Sequence, residues 1–212
     1  MAEPLIPKHG GYRKLKSFRV AQLVYDVTVR FCERYIDRRS RTCDQMVQAA
    51  RSGVQNIAEG SQASGTSKKS ELKLTNVARA SLEELRLDYE DFLRQRGLPQ
   101  WPPDHPALMR FKAKRIATME EMRVWAEEEH GRSRRDTDGQ RQPTTEASSL
   151  TVREGPCQPV ASSTLIANAA LSLLNLCCHL LDRQLAAQAN SFETEGGFTE
   201  RLYRIRQQKR RG

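Results

Sequence analysis

Cys177, Cys178 and His179 stand side by side, and thiolates beside an imidazole are the donor set of many zinc sites. Their spacing argues against one here. Adjacent helical residues point about 100° apart, so three in a row do not share a face. They read instead as small thiols buried in an apolar helix. A second group, Glu83, Glu84, Asp88, Glu90 and Asp91, offers the carboxylates of a di-metal helical bundle. Such a site also needs Glu-x-x-His pairs, and none of these five begins one. The four histidines, His9, His105, His130 and His179, suggest no Ser/His/Asp or Cys/His arrangement. No H-E-x-x-H, P-loop or G-x-G-x-x-G pattern occurs. Neither an enzyme nor a cofactor is expected.

Charge points elsewhere. Among 212 residues, 35 are Lys or Arg and 26 Asp or Glu, a formal net charge of +9. Such a surplus suits an acidic partner, nucleic acid before membrane. The candidate phosphate-binding residues fall in three groups. Lys68 and Lys69 lie between the second and third helices. Arg110, Lys112, Lys114 and Arg115 lie on the fourth. Arg201, Arg204, Lys209, Arg210 and Arg211 lie on the C-terminal segment, which also carries Arg206 and has Glu200 as its acid. With Thr199 starting a helix, Arg201, Arg204, Gln208 and Arg211 share a face. The five cysteines are odd in number, and the first ten residues have no apolar core. Free thiols in a reducing cytoplasm are therefore expected.

Helices must position these groups, since no stretch reads as a strand. A first helix over about residues 15–36 carries Phe18, Ala21, Tyr25, Cys32 and Ile36, widened by Val20, Leu23, Val24, Val27 and Phe31. So broad an apolar face suggests a second contact surface, such as another subunit. A second helix ends at Gly60, with Cys43, Met46, Val47, Ala50, Val54 and Ile57 inward. A third starts near Ser67 or Ser70 and buries Leu74, Ala78, Leu82, Leu85, Tyr89 and Phe92. Its other face alternates Arg79, Glu83, Arg86, Glu90 and Arg94, a solvated pattern. "GLPQWPPDHP" is a loop, and a single fourth helix is expected over about residues 106–129. Residues 131–160 have the composition of a flexible linker. Beyond them "TLIANAALSLLNLCCHLL" is apolar on most sides but short and polar-spotted for a membrane span, so burial against protein is expected.

The stretch "MVQAARSGVQNIAEGS", residues 46–61, concentrates small residues on one face. Ala49 and Gly53 lie four apart and let another helix approach. Gly53 within a helix costs about 1 kcal/mol relative to Ala, which close packing can offset. Gly60 fits the left-handed position after a helix end. Glu59 sits at the unfavourable helix end for an acid and calls for a partner, with Arg51, Arg19 or a residue on a neighbouring chain as candidates. Asn56 flanks the stripe and could bond across helices.

"QAARSGVQNIAEG" and "VARASLEEL" resemble the paired motifs of the four-helix-bundle proteins encoded in intervening sequences of bacterial large-subunit ribosomal RNA genes. The resemblance runs from about residue 12 to residue 128. Val54 stands where that family usually has Ile, and Ala80 where it usually has Gly. The accessory variability protein of diversity-generating retroelements belongs to the same superfamily. The tail, "ANAALSLLNLCCHLL" through "EGGFTERLYRIR", looks like the C-terminal suffix of one subgroup. Four helices with short connections make an antiparallel up-down bundle over residues 12–130 the natural solution, followed by the linker over 131–160 and a helical suffix over 161–212, an all-α chain that agrees with the resemblance. The resemblance further implies a homo-pentamer that binds RNA or DNA, with a reverse transcriptase as a possible protein partner and no membrane. A protein-interaction scaffold without nucleic-acid binding is the alternative.

Overall fold

The computed structural model describes residues 5–139 and 162–211, and among them every regular element is helical. A short 3-10 turn, Tyr12–Lys14, leads into α1 (Lys16–Tyr35), α2 (Arg41–Ala63), α3 (Lys68–Gln95), α4 (Pro106–Lys114), α5 (Met119–Gly139), α6 (Ser162–Glu195) and α7 (Phe198–Arg211).

Local chemistry sets the starts. Ser40 Oγ accepts the Thr42 N–H at 3.2 Å ahead of α2, and Ser67 Oγ accepts the Ser70 N–H at 3.1 Å ahead of α3. Each satisfies an amide that has no partner inside its helix. Before α5, Thr118 Oγ1 accepts the Glu121 N–H while Glu121 Oε2 accepts the Thr118 and Ala117 N–H groups. That reciprocal box holds the Glu121 carboxyl below its usual range. Gly196, at φ 73°, turns the chain between α6 and α7. Glu200 then reaches back to the Gly197 N–H at 2.9 Å, so the expected cap residue Thr199 sits inside the first turn.

One core runs through the molecule. It takes Phe18, Val24 and Phe31 from α1, Met46 and Ile57 from α2, Leu82, Leu85 and Tyr89 from α3, and Leu165, Leu174 and Leu181 from α6. Helix α1 packs on α2 and α6, and α3 packs on the same two, in a closed bundle-like circuit. The Tyr89 hydroxyl donates to Thr28 Oγ1, which donates to the Val24 carbonyl, so the polar pair at the centre is satisfied.

Three expectations are corrected here. The single fourth helix is two: at Arg115 the backbone turns left-handed, φ 50° and ψ 45°. Helices α4 and α5 instead lie against α6, with Phe111 edge-on to the buried Trp125 at 4.8 Å. The linker expected over residues 131–160 does not start at 131, because residues 131–139 continue α5. Its remainder, 140–160, lies outside the described residues. The broad apolar face of α1 is covered within the chain, by α2 and by α6. The α6–α7 stretch contains a window long and apolar enough to cross a membrane, but 67% of that window is buried inside the protein.

Polar contacts seat α6 along its length. Arg79 pairs with Asp182, Gln188 Nε2 donates to Glu71 Oε1 at 3.0 Å, and Ser17 Oγ donates to Gln184 Oε1 at 2.8 Å. Cys177 is buried with its Sγ 3.5 Å from the Ser17 carbonyl, and burial pushes its thiol well up. Cys178 is buried too, its thiol raised to about 11, while His179 is exposed.

Candidate nucleic-acid interface

The small-residue face of α2 does what its spacing requires. Gly53 is buried, and a Cβ placed there would lie 2.6 Å from Leu82 Cδ2 and 2.7 Å from Leu82 Cγ. Ala49 is buried beside it. Gly60 lies inside α2 and has no positive φ, because the helix runs on to Ala63. The reading of Gly60 as a terminal left-handed glycine is therefore corrected. Its missing side chain admits α3: a Cβ would meet the Glu71 carbonyl at 3.3 Å and Leu74 Cβ at 3.3 Å. Glu59 is exposed and has no ion pair among the described residues, so neither Arg51 nor Arg19 is its partner. Being about a turn short of the true helix end, it faces a weaker dipole than expected. Asn56 bonds within its own helix, donating to the Ser52 carbonyl at 2.9 Å and to Ser52 Oγ at 3.1 Å. The link to α3 is made by Ser52 itself, whose Oγ lies 3.0 Å from Ser81 Oγ.

The basic candidates separate by what already holds them. Lys68 is a fold residue: its Nζ donates to Ser191 Oγ and Glu195 Oε2, both at 2.7 Å, and to the Ser191 carbonyl at 3.2 Å, with only 14% of the side chain exposed. Lys69 beside it is exposed. Arg110 forks onto Glu129, Nε to Oε1 at 2.7 Å and Nη2 to Oε2 at 2.5 Å, and covers a carboxylate that is 6% exposed. Lys112 Nζ donates to the Pro103 carbonyl at 2.6 Å, and Lys114 pairs with Glu128 at 2.8 Å. Arg115 is exposed at the left-handed turn. The fourth-helix group is thus not one continuous basic face.

Helix α7 differs. Arg204 Nη2 donates to the Glu195 carbonyl at 3.1 Å, and Arg201 is half-buried. The face expected to present Arg201 and Arg204 is therefore turned partly toward the end of α6. Phe198, Leu202 and Ile205 are half-buried on the same helix. Arg206, Lys209 and Arg210 are exposed, and no hydrogen bond or ion pair holds them among the described residues. Arg211 closes the helix. Tyr203 is exposed at 64%, and its hydroxyl accepts from Gln207 Nε2 at 2.7 Å. Tyr203, Arg206 and Arg210 stand at i, i+3 and i+7, on one helix face. That stripe was not singled out from the sequence, although its spacing was there to find. An exposed guanidinium group can take phosphate through paired N–H donors.

No family model, no curated protein and no solved structure matches the chain.

Proposed function

We propose that this chain is a non-enzymatic nucleic-acid-binding accessory protein, built as an antiparallel up-and-down four-helix bundle with α6 as its fourth helix. The observation that carries the reading is α7, where Arg206, Lys209 and Arg210 lie exposed with no acid bonded to them among the described residues. Phosphate needs positive charge and carries no demand for base-specific geometry. The resemblance to the ribosomal-RNA intervening-sequence proteins supports the same reading. It also supports a homo-pentamer, and work beside a reverse transcriptase or on structured RNA. The apolar face of α1 no longer argues for a second subunit, since α2 and α6 cover it. Oligomerisation therefore rests on the resemblance alone. The scaffolding alternative loses the same support.

Anisotropy titrations with RNA and with DNA at several salt concentrations test the binding. If four side chains neutralise phosphates, the log–log salt slope is about −3 to −4. Removing residues 202–212 lowers affinity and flattens the slope while leaving the helical signal and the melting midpoint of the remainder in place. Equal affinity and slope for both chains would sink the proposal. Light scattering tests the oligomer, and a strictly monomeric mass at micromolar concentration rejects it.

A further inference from the structure

We propose that the Tyr203, Arg206 and Arg210 stripe of α7 is a binding face for single-stranded nucleic acid, with the Tyr203 ring stacked on an unpaired base. The inference rests on the nucleic-acid reading above and names the form of the strand. Its premise is the aromatic side chain. A large ring normally gains by burial, yet Tyr203, at 64%, is the most exposed large apolar side chain among the described residues. Neither the core nor its own helix covers it. Its hydroxyl accepts from Gln207 one turn on, which restrains the ring at the surface.

Its neighbours are chemically suited to a strand. Arg206 lies one turn on and Arg210 two turns on along the same face, both exposed. Arginine planes take phosphate through paired N–H donors and also stack on bases. One turn of helix rises 5.4 Å, a spacing that lets successive cations follow a flexible backbone. Duplex DNA and RNA have their bases stacked and paired, so an exposed ring on a convex helix gains nothing from them. An unpaired base offers a free face, and stacking on aromatic side chains is tolerant of sequence. The apolar residues of α7 point to the same side of the argument. Phe198, Leu202 and Ile205 are half-buried, so the stripe open to solvent is the aromatic and basic one. A membrane-bound amphipathic helix would need the opposite face free.

The test uses the full chain, a fluorescent single-stranded RNA or DNA oligonucleotide and a duplex of the same length. Tyr203→Ala weakens single-strand binding at least about 5-fold and leaves duplex binding within about 2-fold. Tyr203→Phe, which keeps the ring, retains single-strand affinity. Arg206→Gln with Arg210→Gln weakens both substrates and flattens the salt slope by about 1.4 for a single strand. Melting curves establish that each variant is folded, and the exposure of all three residues gives no reason for loss of stability. If Tyr203→Ala weakens both substrates equally, or neither, the stacking inference is overturned while the nucleic-acid reading stands. If the wild-type chain binds no nucleic acid, both fall.

Discussion

Asn168 accepts the backbone N–H of Trp101 on its Oδ1 at 2.7 Å, 67 residues away in sequence. Its Nδ2 donates to the Pro99 carbonyl at 3.0 Å and to the Thr164 carbonyl at 2.9 Å. A side chain that is almost fully buried thus uses its acceptor and both donors, and ties the proline-rich loop to α6. Asn168→Leu removes all three bonds and leaves two part-buried backbone groups of that loop without their side-chain partner. A fully buried group left so costs about 1–3 kcal/mol, and a part-buried one less, while the Asn168 site itself is buried. A loss of about 1–2 kcal/mol in urea unfolding is expected, with faster proteolysis near Trp101. A change below about 0.5 kcal/mol would show that solvent takes over both groups.

Gly53→Leu forces side-chain atoms into the space held by Leu82, a residue with no exposed surface. Overpacking of a dense core costs about 1–3 kcal/mol. The expected result is a lower melting midpoint, recovered in part by Leu82→Ala in the same chain. Because the two residues touch, the double variant is more stable than the sum of the single changes. Strict additivity would mean that the helices part elsewhere.

Lys68→Met separates fold from site. It removes the donors to Ser191 and Glu195, so the seating of α6 on α3 weakens by about 1–2 kcal/mol. Nucleic-acid affinity and salt slope, in contrast, stay as in the wild type. A flattened slope would return Lys68 to the binding surface.

Asp88 carries a pH signature. Burial raises its carboxyl above the usual range, and Glu84 and Asp91 push in the same direction. A carboxyl whose folded pKa is raised favours the fold when protonated, and this contribution is lost as pH rises through the folded value. Asp88→Asn is therefore stabilising at pH 7. The gain shrinks on acidification and vanishes below about pH 3.9, the ordinary aspartate value, where the wild-type carboxyl is neutral too. Melts from pH 3 to pH 8 check it. A difference that is constant with pH would assign the effect to something other than charge.

The stripes of α1, α2 and α3 were legible because each helix keeps one apolar face through about four or five turns, and Met46, Ile57, Leu82, Leu85 and Tyr89 are all buried where that pattern puts them. The Arg86 fork onto Glu83 and Glu90 was legible from spacing as well. The break at Arg115 was not, since "KAKRIAT" holds neither Gly nor Pro. A trace of it was present in the Thr118-x-x-Glu121 box, a helix start in the middle of an expected helix. Gly60 misled because a glycine after Glu59 looks the same whether it ends a helix or admits a neighbour. The partner of α6 was illegible for a deeper reason. An apolar run states that it must be covered, and only the third dimension says by what.

The seating of α6 also governs how the chain can be made. The first three helices are complete at Gln95, but the element that closes their core ends at Glu195. At roughly 5–20 residues per second, a ribosome needs about 5–20 s to cover those 100 residues. During that interval the sides of α1 and α3 that pack on α6 are uncovered, a window for aggregation or chaperone capture. Contacts between residues as distant as Ser17 and Gln184 also slow folding, because a long loop must close before they form. The expected consequence is a yield that depends on translation speed between Gln95 and Glu195, a stretch that ends just before α7 begins.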